Sequence, residues 1–336
     1  MTKIAILGAT GYTALELMKI LLRHPNAEIV ALTSRQENRP VDQVHPSLTG
    51  RLSLPLENLP ASEVAMRAEC VFSCLPHTAT AAVVPELLAG GAKVIDFGAD
   101  YRFNDVTVYE KWYNVVHPDA ERLPTVPYGL PEIFRDEIKG VPLVANPGCY
   151  STSAILPLTP IVRNGLALPD DIIIDAKSGV SGAGRKPSLK NLYPECNEAI
   201  SAYGVGTHRH TPEIEQIIRD GSGKKVNVIF TPHLTPMDRG ILTVCYAKCA
   251  RPGITQDDVL ACWRSFYKDE PFVQVVEFLP STKDVIHTNR CHMTARVVGS
   301  RILTISVIDN LIKGASGAAV QNFNILFGYP ETTALL

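Results

Sequence analysis

The run Asn146-Pro147-Gly148-Cys149-Tyr150 sets a cysteine directly after two residues that favour a tight bend. A short apolar strand pattern precedes this bend and a helical pattern over Ser151–Val162 follows it, so we expect Cys149 near the N-terminus of a helix. The N–H groups and the positive dipole end at such a position stabilise a thiolate, and they can also bind an oxyanion. The pattern predicts Cys149 as a nucleophile, whereas a small buried thiol without chemistry is the alternative.

Two histidines in the segment Thr207–Glu213 could exchange protons with such a thiol. His208 and His210 precede a helical pattern that is expected to begin near Pro212, and the Glu213 carboxylate could orient His210. The pair could instead bind zinc or pack without chemistry, but no third ligand stands at metal spacing. We therefore predict an acid/base role for one of the two histidines and no metal site. The spacing leaves open which histidine it is.

A glycine-containing turn lies near the start of the chain, at Gly8–Ala14. It follows the apolar run Lys3–Leu7 and precedes a helical pattern, which is the context in which backbone N–H groups bind a diphosphate. Its spacing, G-x-x-G-x-x-A, departs from the commoner G-x-G-x-x-G, and such a turn can also serve only to pack a helix closely on a strand. We predict a dinucleotide site at this turn.

The end of the second strand pattern, Ile29–Thr33, is where an acidic residue usually binds the adenosine ribose of NAD. Here Ser34 and Arg35 follow instead, and a guanidinium can form charge-assisted bidentate bonds to the 2′-phosphate of NADP. NADP is therefore predicted over NAD, and two ordinary solvated loop residues are the alternative interpretation.

A third polar segment, Ser178–Lys186, ends a strand pattern with three glycines and two cations. It could hold a phosphate or a carboxylate, and a mobile surface loop explains the same composition equally well. Both interpretations stay open on composition alone.

Strand and helix patterns alternate through the first part of the chain, which indicates an α/β domain with a parallel sheet of the Rossmann type. The strand patterns there are Lys3–Leu7, Ile29–Thr33, Cys70–Leu75, Val94–Phe97 and Leu143–Asn146, and a helical pattern covers Ala79–Ala89. Beyond Cys149, strand patterns with few helices between them indicate a second, α+β domain with a largely antiparallel sheet. They are Ile172–Ser178, Val226–Thr231, Ile241–Ala247, Met293–Val298 and Ile302–Ile308. The helical segment Ala315–Leu326 could pack on either core.

The chain of 336 residues carries 32 basic and 34 acidic side chains, so it lacks the broad positive surface that binds nucleic acid or anionic lipid. No apolar stretch approaches the roughly 20 residues that span a bilayer, and a strand pattern from Lys3 leaves no room for a signal peptide. The eight cysteines are scattered in a chain too long to need disulfides, and we take them as reduced thiols. We expect a cytoplasmic protein without a nucleic-acid or membrane partner.

Segments spread over nearly the whole chain resemble the N-acetyl-gamma-glutamyl-phosphate reductase family, which is related to aspartate-semialdehyde dehydrogenase. They are GATGYTALEL at 8–17, FSCLPH at 72–77, DFGADYRF at 96–103, YGLPE at 128–132, NPGCY at 146–150, SGVSGAGR at 178–185, HRHTPEI at 208–214 and DNLIKGASGAAVQNFN at 309–324. Ala14 stands where many family members carry a third glycine, and alanine still permits close packing of helix on strand.

The resemblance implies a reaction and an assembly. Cys149 would displace phosphate from the acyl phosphate of N-acetylglutamate, and NADPH would reduce the resulting thioester to the 5-semialdehyde, a step of arginine biosynthesis. The C-terminal helix would rejoin the dinucleotide domain, so that one domain comprises 1–148 with 315–336 and the catalytic, substrate and oligomerisation domain comprises 149–314. The enzyme would be a homodimer or a homotetramer.

The resemblance also implies roles for individual residues. The residues expected to hold the cofactor phosphates are Gly8, Thr10, Gly11, Tyr12 and Thr13. Those expected near the nicotinamide are Ser178, Gly179 and Asn310. Arg102 and Arg185 are expected to contact the anionic substrate. A sister reductase for another acyl phosphate, such as aspartyl phosphate or an aminoadipyl intermediate, is a competing hypothesis. A protein that only senses NADP is another, although the presence of Cys149, both histidines and Glu213 argues against it.

Overall fold

The computed structural model describes residues 1–35 and 38–336, and the chain divides into two compact units. The first unit comprises Met1–Pro147 together with Ala315–Leu336, and the second comprises Gly148–Gly314. Each unit contains a β-sheet with helices packed on it. Among the helices of the described residues, none combines the length and the apolar character needed to cross a bilayer.

The sheet of the first unit is parallel throughout the described residues. Its strands are β1 (Thr2–Leu7), β2 (Ala27–Thr33), β3 (Leu56–Glu57), β4 (Cys70–Ser73), β5 (Lys93–Asp96) and β6 (Leu143–Ala145). They lie in the order β3-β2-β1-β4-β5-β6, and each pair of neighbours is parallel. This is the order of the Rossmann fold, so the predicted α/β class and parallel sheet are confirmed. Ala5 and Ile6 of β1 point to opposite faces of the sheet and are both completely buried, as expected for a strand covered on both faces.

The helices before Pro147 connect these strands. They are α1 (Tyr12–Leu21), α2 (Val41–Val44), α3 (Ala61–Arg67), α4 (Val84–Ala89), α5 (Val106–Tyr113) and α6 (Pro131–Ile138), with 3-10 turns at Pro46–Leu48 and Ala120–Thr125. The helical pattern from Ala79 predicted an earlier start for α4, which begins only at Val84. Pro85 lacks an N–H group and fits only the first turn of a helix, so the residues before it form turns instead.

The second unit contains a mixed sheet in which antiparallel pairs predominate. Its helices are α7 (Cys149–Arg163), α8 (Tyr193–Cys196), α9 (His210–Ser222) and α10 (Gln256–Phe266), with 3-10 turns at Val180–Ala183, Leu189–Asn191 and Thr282–Asp284. Its strands are β7 (Ile172–Gly179), β8 (Ser201–Ala202), β9 (Val228–Thr235), β10 (Ile241–Lys248), β11 (Val273–Val275), β12 (Cys291–Val298) and β13 (Arg301–Ile308). The order is β11-β12-β13-β10-β7-β9-β8, in which the β7–β9 and β11–β12 pairs are parallel. The remaining pairs are antiparallel, which confirms the predicted largely antiparallel sheet.

Helix α7 carries the cysteine bend and contains two interior prolines, Pro157 and Pro160. A proline has no N–H group for the carbonyl four residues earlier, so the carbonyls of Ser153 and Leu156 lose their helical partners. The Ser306 hydroxyl donates to the Ser153 carbonyl at 2.6 Å, and the hydroxyl of Tyr267 donates to the Leu156 carbonyl at 2.7 Å. The prolines thereby tie α7 to the sheet on one side and to the end of α10 on the other.

The last two regular elements are a π-helical turn at Ile312–Ser316 and the helix α11 (Gly317–Phe327), which is almost wholly buried. In the first unit, Asn322 Nδ2 donates to the Gly129 carbonyl at 2.8 Å and to Asn146 Oδ1 at 3.1 Å. Asn324 Oδ1 lies 2.8 Å from His24 Nε2. These contacts explain why polar residues are buried on every side of a helix whose apolar positions alone had suggested one buried face.

Candidate active site

Cys149 is the first residue of α7, and Gly148 is the N-cap of this helix with extended backbone angles. The predicted position of the thiol at a helix N-terminus is confirmed. The backbone N–H of Gly148 donates a hydrogen bond of 2.9 Å to Glu213 Oε1, and Glu213 is completely buried in the first turn of α9. A buried carboxylate therefore fixes the bend that carries the thiol. Sequence reasoning assigned Glu213 to His210 and did not predict this contact.

Gly314 lies against Cys149 within the second unit. A Cβ atom added to Gly314 would stand 2.8 Å from the Cys149 Cβ and 3.2 Å from its Cα. The Gly314 N–H donates to the Asp309 carbonyl at 2.9 Å, a bond spanning five residues that belongs to a π-helical turn. The turn brings a residue without a side chain next to Cys149, and nothing in the sequence pattern had indicated it.

His208 lies two residues before the first residue of α9. Its Nδ1 accepts a hydrogen bond of 3.1 Å from the backbone N–H of His210, so the neutral ring carries its proton on Nε2. Burial, followed by the positive charge of Arg209, lowers the pKa of His208 to about 4. His208 is therefore neutral at physiological pH.

Aromatic side chains surround the His208 ring. Its centroid lies 5.7 Å from that of Tyr150, 5.5 Å from that of Tyr203 and 5.2 Å from that of Phe230. The Tyr203 hydroxyl donates to the Tyr150 hydroxyl at 3.0 Å, which in turn donates to the His233 carbonyl at 3.1 Å. Burial raises the pKa of Tyr150 and keeps the phenol protonated. The residue after Cys149 is thus held by two successive hydroxyl hydrogen bonds that the NPGCY segment did not reveal.

His210 is the first residue of α9, two residues before the predicted start of that helix at Pro212. Its ring centroid lies 6.0 Å from that of Tyr150, the residue that follows Cys149, and 4.8 Å from that of His208. Across residues 1–35 and 38–336, no three histidine, cysteine or acidic side chains converge on a point that could hold a metal ion.

The residues expected near the nicotinamide lie in the second unit, at the ends of two of its strands: Ser178, Gly179 and Asn310. A Cβ on Gly182 would meet Ser178 Oγ at 3.0 Å and Asn310 Nδ2 at 3.6 Å, so these two side chains flank Gly182. Asn310 also accepts from the Gly240 N–H at 2.8 Å and donates to Ser181 Oγ at 3.0 Å. Asn310 thereby holds the loop after β7, and its contact with a nicotinamide stays a prediction.

The two arginines expected to bind anions differ in setting. Arg102, in the first unit, is buried, and its Nε and one terminal nitrogen each donate at 2.8 Å, to the carbonyls of Asn146 and Phe97 respectively. Arg185, in the second unit, is exposed in the loop that follows β7. Arg102 therefore braces the end of β6, and the anion contacts of both arginines stay predictions.

A cavity of about 310 Å³ opens in the first unit where β1 and β2 end. The lining residues include four that were predicted to bind the cofactor: Gly8, Thr10, Ser34 and Arg35. Asn58, Leu59, Leu75 and Ala79 are among the others, and no acidic side chain is among the described residues that line the cavity. Sequence reasoning missed Asn58, which lies just after the two-residue strand β3.

The glycine turn that borders this cavity has a fixed shape. Gly8 has φ +72°, and a Cβ there would stand 2.7 Å from the Cys74 carbonyl oxygen, so only glycine fits. The Ala9 N–H donates to the Thr33 carbonyl at 3.0 Å, and His45 Nε2 lies 3.0 Å from the Ala9 carbonyl. The other predicted phosphate contacts, Gly11, Tyr12 and Thr13, form the N-cap and first turn of α1. The close backbone approach at Gly8 and the presence of Arg35 in the same cavity fit a dinucleotide phosphate.

Two family descriptions match the chain in succession. Residues 3–141 match "semialdehyde dehydrogenase, NAD binding domain", and residues 149–310 match "semialdehyde dehydrogenase, dimerisation domain". The N-acetyl-gamma-glutamyl-phosphate reductase of Rhodopirellula baltica is 52% identical to this chain, over 99% of this chain and 98% of the relative. That of Moorella thermoacetica is 50% identical, over 100% of this chain and 98% of the relative.

The chain belongs to the N-acetyl-gamma-glutamyl-phosphate reductase family. The resemblance stated from the sequence motifs is confirmed, and so is the conclusion that the protein is an enzyme, an oxidoreductase of this family. The match to an NAD binding domain also shows that this N-acetyl-gamma-glutamyl-phosphate reductase family member uses a nicotinamide cofactor.

Solved structures support the fold of this reductase family. An aspartate semialdehyde dehydrogenase from Candida albicans, solved with NADP, superposes with a TM-score of 0.74 over 97% of this chain and 98% of that chain, at 16% identity. Aspartate semialdehyde dehydrogenase II from Vibrio cholerae, complexed with ASA, gives 0.73 over 98% of both chains at 16% identity. At this identity the similarity establishes the architecture.

Proposed function

We propose that this enzyme reduces N-acetyl-L-glutamyl 5-phosphate to N-acetyl-L-glutamate 5-semialdehyde with NADPH, releasing phosphate, through a thioester on Cys149. The substrate and product follow from the name that the full-length relatives carry. The observation that carries the mechanism is the placement of Cys149 at the N-terminus of α7, on a bend that the buried Glu213 holds. A thiol in this setting is stabilised as a thiolate and has N–H groups beside it for an oxyanion.

In the first step the Cys149 sulfur attacks the acyl carbon, and the carbon–oxygen bond to phosphate breaks with its electron pair leaving on phosphate. We assign the accompanying proton transfer to His210, which takes the thiol proton and passes it to the departing phosphate oxygen. His208 is less suited to this role, because its Nδ1 is engaged by the His210 N–H and its pKa is lowered to about 4. The products of this step are hydrogen phosphate and a thioester on Cys149.

When bound, the dihydronicotinamide supplies a hydride to the thioester carbon. The resulting oxyanion is stabilised by the N–H groups at the start of α7, and it then expels the Cys149 thiolate as the carbon–sulfur bond breaks. The aldehyde is released, and the Cys149 thiolate takes up a proton from solvent, which restores the thiol for the next cycle.

The preference for NADP over NAD rests on the cavity of the first unit. Ser34 and Arg35 line it together with the glycine turn, and the acidic residue that usually binds the ribose of NAD is replaced by these two. Arg35 is exposed and can reach a 2′-phosphate with charge-assisted hydrogen bonds. The first unit is accordingly proposed to bind the cofactor, and the second unit to bind the substrate.

A homodimer, or a homotetramer built from it, is proposed from the sheet of the second unit. Ile229, Ile173, Tyr246 and Leu303 stand opposite one another on four neighbouring strands, and all four are at least part-exposed. Val244 and Ile305 form the next row of the same face. An apolar row of this kind fits a second copy of the chain, and it lies within the part that matches a dimerisation domain. A monomer in sedimentation analysis would contradict this assignment.

The reverse reaction tests the proposed activity. With phosphate and NADP present, we expect oxidation of N-acetylglutamate semialdehyde and little turnover of aspartate semialdehyde; turnover of only the latter would contradict the substrate assignment. Cys149→Ala should abolish turnover while NADPH still binds, because only the nucleophile is removed. Cys262→Ala is the matched control, since burial raises the pKa of that thiol and it lies outside the bend. Activity near wild type in Cys149→Ala would remove Cys149 from the mechanism.

A further inference from the structure

The DFGADYRF segment contains a carboxylate that the reaction does not use. Asp100 is completely buried in the first unit, and its oxygens accept four hydrogen bonds. Oδ1 accepts from the Thr78 N–H at 2.7 Å and from the Tyr109 hydroxyl at 3.1 Å. Oδ2 accepts from the N–H groups of Thr80 and Ala81 at 2.9 and 3.0 Å. One carboxylate thus accepts hydrogen bonds from three backbone amides of a single short loop.

The loop of residues 74–81 contains one residue in a backbone conformation that its side chain disfavours. Thr78 has φ +73°, a left-handed conformation that a β-branched residue rarely adopts. Such a conformation persists only where surrounding contacts hold it. The bond from the Thr78 N–H to Asp100 is a contact of this kind.

The same loop forms part of the cavity that contains the predicted cofactor residues. Leu75, Pro76 and Ala79 line that cavity together with Gly8 and Arg35. The loop also touches the glycine turn directly, because a Cβ on Gly8 would stand 2.7 Å from the Cys74 carbonyl and 3.4 Å from the Leu75 nitrogen. A displaced loop would therefore change both the width of the cavity and the packing of the turn.

We propose that Asp100 is a positioning residue for the nicotinamide cofactor: its carboxylate holds the 74–81 loop in the shape that makes it a wall of the binding cavity. The inference rests on the proposed function in one respect, that this cavity receives the cofactor. Asp100 does not line the cavity itself, so it sets the affinity through the loop.

Asp100→Asn tests this role. The asparagine keeps the shape of the side chain, but its NH₂ group must face at least one of the backbone N–H groups that now donate to the carboxylate. We expect the Kd for NADPH to rise by roughly tenfold or more, the usual cost of losing hydrogen bonds to a charged acceptor. The kcat at saturating NADPH should stay within about twofold of wild type, because Asp100 does not touch the reacting groups.

Asp105→Asn is the matched control. Asp105 is an exposed carboxylate that caps α5 by accepting from the Thr107 N–H at 2.8 Å, so the same substitution is made at a hydrogen-bonded carboxylate outside the cavity. Its Kd for NADPH should equal that of wild type. If Asp100→Asn lowers the melting temperature and leaves the Kd unchanged, its role is only structural and the proposal is overturned.

Two further measurements keep the test decisive. If Asp100→Asn does not fold, Tyr109→Phe removes one of the four bonds and keeps the carboxylate; we expect its Kd to rise about threefold, and an unchanged Kd contradicts the proposal. Wild-type enzyme that fails to bind NADPH would instead contradict the proposed function, which separates the two failures.

Discussion

The backbone amide of Gly148 donates a hydrogen bond of 2.9 Å to the carboxylate of Glu213, which is completely buried. The bond joins the residue before Cys149 to the first turn of α9, 65 residues further along the chain. Hydrogen bonds to a charged acceptor are stronger than those to a neutral one, so this contact restrains the bend tightly. The position of Cys149 depends on Glu213 whether or not the carboxylate takes part in proton transfer.

Two substitutions at position 213 separate these roles. Glu213→Ala leaves the buried Gly148 amide without its acceptor, and we expect kcat to fall by roughly 10- to 100-fold, from a loss of about 1.5–3 kcal/mol. Glu213→Gln keeps an acceptor oxygen and should lose much less. Steady-state kinetics at saturating substrates, with melting temperatures to verify folding, provide the comparison. Equal losses in both variants would show that the charge of Glu213 matters rather than the bond to the backbone.

Gly314→Ala should lower the activity of the enzyme by crowding Cys149, the proposed nucleophile. The added methyl group would stand 2.8 Å from the Cys149 Cβ, closer than two carbon atoms can approach. Overpacking of this kind costs about 1–3 kcal/mol, and we expect kcat and the rate of Cys149 alkylation to fall by roughly tenfold or more. The Kd for NADPH should not change. Wild-type kcat in this variant would show that the π-helical turn can move away without consequence.

The stability of the second unit should depend on pH through His208. Its pKa is lowered to about 4 in the folded chain, whereas an unfolded histidine has a pKa of about 6.5. As the pH falls below about 6.5, His208 binds a proton in the unfolded chain before it does so in the folded chain. Protonation therefore favours the unfolded chain, and the free energy of unfolding decreases between about pH 6.5 and about pH 4.

His208→Asn removes this titration and keeps an oxygen that can accept the His210 N–H. In urea titrations at about pH 7 and about pH 5, the wild type should therefore lose more unfolding free energy than His208→Asn. An identical loss in the two proteins would assign the acid sensitivity to other groups. If the acid/base role belongs to His210, His208→Asn should also keep most of its kcat while His210→Ala does not.

Arg35→Ala tests the choice of cofactor. Loss of charge-assisted bonds to the 2′-phosphate should raise the KM for NADPH by roughly 10- to 100-fold and change the KM for NADH by less than about threefold. Arg51→Ala is the control, because Arg51 is exposed and is not among the residues that line the cavity. Equal effects of Arg35→Ala on both cofactors would refute the assignment of the 2′-phosphate to Arg35.

The features that the sequence predicted are those encoded locally. Most strands of the two sheets, all but β3, β8 and β11, and the bend at Cys149 were predicted because apolar runs, glycine and proline act within a few residues. Helix α10 was missed although Thr255 and Asp258 form a capping box at its start, a signal that was present in the sequence.

The remaining features depend on residues far apart in the chain. The bond between Gly148 and Glu213 and the contact between Gly314 and Cys149 join distant segments, and no periodicity encodes them. The assignment of separate roles to His208 and His210 required the position of one ring nitrogen relative to one backbone amide. The two-residue strand β3, which brings Asn58 to the cavity, is too short to give a pattern.

The two prolines of α7 affect when this helix can become stable during synthesis of the chain. A helix interrupted at Pro157 and Pro160 is poorly stable alone, and the hydroxyls that complete it come from Tyr267 and Ser306, 111 and 153 residues after their acceptors. During synthesis the helix that begins at Cys149 therefore lacks both partners until residue 306 has been made. We expect the proposed nucleophile to acquire its final setting only after the strand that contains Ser306 has been made.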